Sequence, residues 1–233
     1  MNQRLPRINI AIDGPAGAGK STVARMVAKD LHYIYVDTGA MYRAVALKAM
    51  EAGLQAEDAS RVAELARRME IRLVPEPDGQ RVWADGEDVS QRIRTVEVNR
   101  QVSRYATIEG VRSRMGELQR RMALAKGVVM DGRDIGTHVL PDAELKVFLT
   151  ASPGERALRR FRELGDEAGI TLQQLEADIA QRDREDRERD IAPLVRAADA
   201  RLVDSTGRPA EEIAREIAEW GIAIARTILA EEK

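Results

Sequence analysis

Cysteine is absent from this chain, which excludes a disulfide frame and zinc held by thiolates; a reducing compartment is compatible with that. Aromatic residues are scarce, at 3%, so a ligand is expected to be selected by hydrogen bonds more than by stacked rings. No sign of charge dominates. Lys+Arg 37 against Asp+Glu 39 leaves a formal net charge of −2, which argues against a whole-surface grip on nucleic acid or membrane and leaves only local basic clusters open. Long apolar runs are missing too, since each meets charge or glycine within a few residues; neither a signal peptide nor a membrane span is expected, and a cytoplasmic protein is the default. What is present, 44% apolar residues in a chain of 233, suffices for one sizeable domain. There is no internal repeat and no low-complexity linker.

The chain is organised around Asp13-Gly14-Pro15-Ala16-Gly17-Ala18-Gly19-Lys20-Ser21-Thr22, which fits G-x-x-x-x-G-K-[ST] between an apolar run and an amphipathic helical pattern. A polyphosphate wrapped by backbone N–H groups needs residues without Cβ where chain and phosphate nearly touch, and Gly14, Gly17 and Gly19 supply them. Lys20 is placed to reach the β/γ-phosphates and Ser21 to offer its hydroxyl to Mg²⁺, at the N-terminus of a helix whose dipole favours an anion. A phosphate loop alone says only nucleoside triphosphate. The guanine-selecting Asn-Lys-x-Asp of GTPases is absent.

The remaining pattern predicts an α/β chain: a five-stranded parallel sheet of the P-loop NTPase type with helices on both faces, a small antiparallel β insert and a helical lid. The predicted sheet strands are 8–12, 33–36, 128–131, 145–149 and 200–204. Helices are expected from Gly19, with Val23, Val27 and Leu31 inward, over 40–52, 58–69 and 96–125 with a break at Gly110, and from Pro209 with Ile213, Ile217 and Ile224 inward. Period-2 runs around Arg81-Val82-Trp83, punctuated by Pro77-Asp78-Gly79 and Asp85-Gly86, predict an antiparallel meander. Ser152-Pro153-Gly154-Glu155 reads as a capping box opening a helix that carries Arg156, Arg159 and Arg160 on one face. Arg182 to Asp190 lacks any apolar residue. Its plain reading is a solvated helix laced with ion pairs, but Arg182, Asp186 and Arg189 share a face, which suits a lid over a triphosphate.

Ligands in open parallel sheets sit outside the carboxyl ends of the strands, so Asp37, Thr38, Tyr42 and Arg43 lie where the phosphate loop also points. Taken alone, Thr38 reads as a helix cap and Arg43 as a solvated charge. Asp131, closing an apolar strand, stands in a Walker-B position and would help hold Mg²⁺ directly or through water; Asp37 is a second candidate for that contact. Two polar flanks around one phosphate loop point to phosphoryl transfer from a triphosphate to a small acceptor.

The runs Ile12 to Ser21, Asp37-Thr38-Gly39-Ala40-Met41-Tyr42-Arg43, Asp131-Gly132-Arg133-Asp134-Ile135-Gly136-Thr137 and Arg182-Asp183-Arg184-Glu185-Asp186-Arg187 together resemble bacterial cytidylate kinases, and the resemblance covers nearly the whole chain. It implies transfer of the γ-phosphoryl group of ATP to CMP or dCMP with Mg²⁺, by a protein acting on small molecules and expected to be a monomer. It assigns ATP to Gly14, Pro15, Ala16, Gly17, Ala18, Gly19, Lys20, Ser21 and Thr22. The monophosphate falls to Thr38, Tyr42, Arg43, Ser103, Arg112, Arg133, Asp134, Arg182, Asp186 and Arg189. Charge neutralisation during transfer falls to Lys20, Arg133, Arg159, Arg182 and Arg189. The expected organisation is a single kinase domain over 1–233, with a substrate-side insert at about 70–95 and a lid at about 152–192. Thymidylate kinase or another small-molecule kinase, and an ATP-gated regulatory protein without an acceptor, are the competing classes.

Overall fold

The structure is a computed structural model that describes residues 5–76, 79–164 and 171–231. Pro77 and Asp78 of the expected turn, and 165–170 of the expected lid, lie outside the described residues. The chain forms two compact units, one made of 1–34 and 126–233, the other of 35–125.

In the first unit, β1 (Asn9–Asp13) is buried at every position, as its apolar run requires of a strand covered on both faces. It pairs in parallel with β6 (Val128–Gly132) on one side and β7 (Leu145–Thr150) on the other, and β7 pairs in parallel with β8 (Arg201–Asp204). The sheet has the order β2-β6-β1-β7-β8, and β2 (Ile34–Asp37) leaves the first unit after Ile34. Strands β1 and β6 run in register from Asn9 opposite Val128 to Asp13 opposite Gly132. Their carboxyl ends therefore finish level, which sets the phosphate loop beside the Gly132-Arg133-Asp134 turn.

Helix α1 (Lys20–Leu31) buries Val23 and Val27 as expected. Helix α8 (Ala210–Glu231) buries Ile213 and Ile217, but Ile224 is only half-buried and the stripe continues through Gly221 and Ala225. A Cβ on Gly221 would stand 3.4 Å from both Ile10 and Leu31, so α8 needs the small residue to pack there. Helix α6 (Pro153–Leu164) does not begin with the full capping box. Ser152 Oγ accepts the Glu155 N–H at 3.3 Å, yet the Ser152 N–H goes to Thr206 Oγ1 at 2.9 Å and the Glu155 carboxylate to Arg159. The complete box lies at Thr171 and Gln174, opening α7 (Leu172–Glu188). That helix extends the charged segment backwards so that Leu175 and Ile179 can pack on Ala157 and Phe161 of α6, which anchors it more firmly than ion pairs alone.

In the second unit, α2 (Thr38–Glu51), α3 (Ala59–Arg68), α4 (Val96–Ala106) and α5 (Glu109–Ala123) share an apolar core with a three-stranded antiparallel sheet, β3 (Ile71–Glu76), β4 (Gly79–Ala84) and β5 (Glu87–Asp88). The expected helix 96–125 is two helices, and the break falls at Thr107 and Ile108 rather than Gly110. Gly110 lies in the first turn of α5, where a Cβ would come 2.5 Å from that of Ala63; the glycine permits close approach of α5 to α3 and does not interrupt the helix.

Candidate active site

Within the first unit, Gly14 to Gly19 form the turn from β1 into α1. Two glycines are required by space as well as by backbone. A Cβ on Gly14 (φ +151°) would meet the Leu149 carbonyl oxygen at 1.9 Å, and one on Gly17 (φ +74°) would press on Arg156 Cβ at 3.0 Å. Helix α1 has no side-chain N-cap, as befits a helix whose first N–H groups are presented to an anion. Lys20 is buried and its Nζ donates to the Pro15 carbonyl at 2.8 Å. Burial, followed by the Arg133 charge, holds its ammonium well below the ordinary lysine range. Ser21 Oγ donates to Asp131 Oδ2 at 2.8 Å, so the expected hydroxyl and carboxylate meet.

Arginines from α6 reach the loop from its outer side. Arg159 donates from Nη1 to the Ala18 carbonyl at 3.3 Å and to Ser205 Oγ at 3.0 Å, and from Nη2 to the Ser205 carbonyl at 2.7 Å. Arg156 donates to the Ala16 carbonyl at 3.0 Å and forks onto Asp183 at 3.1 and 2.7 Å. Beyond the loop stands a second charged cluster. Arg133 Nε donates to Asp186 Oδ2 at 2.8 Å, and Arg189 donates from Nη2 to Asp134 Oδ1 at 3.3 Å and from Nε to the Ala192 carbonyl at 2.6 Å. Arg182 is half-buried on α7, near enough for its charge to act on Lys20 and Asp186. Burial pushes the Asp186 carboxyl upward, but the guanidiniums of Arg133, Arg182 and Arg189 outweigh it and keep the acid below its usual range. The first unit thus brings together the phosphate loop, Asp131, Arg133, Asp134, Arg159, Arg182, Asp186 and Arg189.

The second unit holds the remaining expected residues. Asp37, not Thr38, caps α2, its Oδ1 accepting the Ala40 N–H at 2.8 Å. Thr38 is buried as the first helical residue. The cap shifts by one because Asp37 keeps the extended backbone that an N-cap needs. Arg43 is not simply solvated: its Nε donates to Asn99 Oδ1 at 3.1 Å. Arg112 is buried, donates to the Ala106 carbonyl at 3.1 Å and lies 5.6 Å over the Tyr42 ring, which brings two of the expected residues into one cation–π contact. Ser103 is half-buried on α4.

Two buried acids escape the sequence reading. Asp183 lies hidden in a segment whose composition reads as solvated, and only the Arg156 fork reveals it. Asp13 accepts the N–H groups of Ile135 and Gly136 at 2.8 and 2.7 Å; the available signal was an acid closing a buried strand, the same signal that picks out Asp131.

The chain matches the cytidylate kinase family over residues 10–221. Cytidylate kinase of Pelotomaculum thermopropionicum is 53% identical over 211 residues, covering 90% of this chain and 93% of that protein. Cytidylate kinase of Bacillus subtilis is 47% identical over 214 residues, covering 91% and 96%. The crystal structure of an uncharacterized protein from Eubacterium ventriosum aligns over 94% of this chain and 99% of that one with a TM-score of 0.53 at 11% identity, a likeness of fold alone.

Proposed function

The chain belongs to the cytidylate kinase family, and from that premise we propose that it transfers the γ-phosphoryl group of ATP to CMP or dCMP, giving ADP and CDP or dCDP. The observation that carries this reading is the grouping of Lys20, the Ser21–Asp131 pair and the Arg133–Asp186 pair around one phosphate loop. Phosphoryl transfer asks little covalent chemistry of a protein and much positioning and charge neutralisation, which is what such a grouping offers.

Gly14 to Thr22 hold the ATP phosphates in this account. Thr38, Tyr42, Arg43, Ser103, Arg112, Arg133, Asp134, Arg182, Asp186 and Arg189 are assigned to the acceptor. Arg133 forks onto the acceptor phosphate with its guanidinium already oriented by Asp186, so the cation is placed before substrate arrives. Lys20, Arg159, Arg182 and Arg189 complete the neutralisation of the transferring group. The lid is assigned to about 152–192 and the substrate-side insert to about 70–95, within a single kinase domain.

Mg²⁺ fits the donors present. A hydroxyl and a carboxylate at Ser21 and Asp131 suit a hard cation that otherwise keeps waters and phosphate oxygens. Among the described residues no group of three His, Cys, Asp or Glu side chains could hold a metal by itself, so the phosphates would supply the rest; Asp37 is the alternative to Asp131 for a contact through water. Held by Ser21 and Asp131, such an ion would supply positive charge to offset that of the phosphates. Among the described residues no helix is long and apolar enough to cross a membrane. The proposed reading is of a cytoplasmic protein that acts on small molecules as a monomer.

A coupled ADP-release assay with CMP, dCMP, UMP, dTMP, AMP and shikimate tests the reading. Turnover is expected to require an acceptor and to be at least about tenfold faster with CMP or dCMP than with dTMP, AMP or shikimate, since hydrogen bonds to the base edge select it. Release of ADP that no acceptor accelerates would remove the kinase assignment and favour the ATP-gated regulator.

A further inference from the structure

We propose that Asp13 is a positioning residue for the acceptor side of the site, fixing the backbone from which Arg133 and Asp134 project. Asp13 ends β1 and immediately precedes Gly14 of the phosphate loop. Its main chain lies in register opposite Gly132, the last residue of β6. Its side chain accepts from Ile135 and Gly136, one bond to each oxygen, where the chain enters a short helical turn over Ile135–Val139. Arg133 and Asp134 are the two residues between these anchors. One aspartate therefore holds both ends of the turn that carries them, and does so from the strand that delivers the phosphate loop.

A carboxylate is suited to this because both its oxygens only accept. An asparagine of the same shape would set its NH₂ against one of the two N–H groups, and a serine would reach neither pair. The arrangement is not the cheap way to close a turn. Burial pushes the Asp13 carboxyl up to about 6 despite the two backbone bonds that favour its ionised form, with the Asp134 charge adding to the rise and Lys20 opposing it. The charged groups around it are thus Lys20 on α1, Asp134 in the turn itself, and Lys146 on β7, whose aliphatic stem lies beside Gly136. A buried acid kept at that cost is expected to act on its neighbours' geometry.

The proposal rests on Arg133 and Asp134 serving CMP, so its test separates the two ideas. In steady-state assays Asp13→Asn is expected to lower kcat/KM for CMP by about ten- to hundredfold, the loss of one bond to a charged acceptor, while KM for ATP stays within about twofold. Equal losses for CMP and ATP, or no loss, would overturn the positioning role. A wild-type protein inactive with CMP would instead defeat the functional reading. Should the variant fail to fold, the wild-type protein decides by NMR titration between pH 5 and 7.5. The Ile135 and Gly136 amides and the Arg133 Nε–H resonance are expected to move with one midpoint near the Asp13 value of about 6. Movement of the two amides with Arg133 unmoved would mark the contact as structural only.

Discussion

Arg133→Ala is expected to lower kcat/KM for CMP by about a thousandfold while KM for ATP stays within about threefold, a loss of the size found when one partner of a buried, hydrogen-bonded charge pair is truncated. Two effects add. In the proposed reading the acceptor phosphate loses a forked cation, and Asp186 loses the Nε donor 2.8 Å away, leaving the buried acid to the more distant charges of Arg182, Arg189 and Lys20. Arg133→Lys keeps the charge but not the planar fork, so it should recover only part of the loss. In the proposed reading ATP is held by the loop backbone and Lys20, neither of which contains Arg133, hence the asymmetry. Steady-state kinetics with each substrate varied in turn reads it directly; equal losses for both substrates would make Arg133 a structural residue.

Arg156→Ala is expected to be the most destabilising single change among the charged residues. Arg156 and Asp183 are almost wholly buried, at 4% and 5% side-chain exposure, and pair bidentately. Removing the arginine leaves a buried carboxylate without its fork, a loss of about 3–5 kcal/mol, or a fall of about 10 °C in Tm for a chain of this length. It also frees the Ala16 carbonyl of the phosphate loop. By contrast Arg67→Ala, at an exposed pair with Glu64, should move Tm by no more than about 2 °C. Thermal unfolding followed by circular dichroism compares the two. Similar Tm values would mean that the Arg156 fork merely replaces solvation lost on burial.

The contrast between those pairs shows what the sequence could and could not say. Strands β1, β6 and β7 are legible because a strand covered on both faces is mostly apolar, Asn9 and Lys146 notwithstanding, and the phosphate loop is legible because its glycines answer local sterics. The order β2-β6-β1-β7-β8 was not, since nothing in a buried strand's composition names its neighbours. Helix ends were misplaced where two local signals competed: Asp37 against Thr38 for the cap, Thr107-Ile108 against Gly110 for the break. Gly110 misled because its lack of a side chain answers α3, a partner more than forty residues away by sequence rather than a bend in its own helix. The arginines of 156–160 and 182–189 read in sequence as one charged group suited to a lid, yet only three dimensions distinguish Arg156, tied to Asp183, from Arg159, tied to Ser205 and Ala18.

In the proposed reaction phosphate passes from ATP to the monophosphate of cytidine. Phosphorus-31 NMR of the protein with ATP, Mg²⁺ and CMP follows both products at once. The expected spectrum shows the CMP resonance decaying as the two resonances of CDP grow, in step with ADP and with no inorganic phosphate. ADP accompanied by inorganic phosphate, with CMP unchanged, would contradict it.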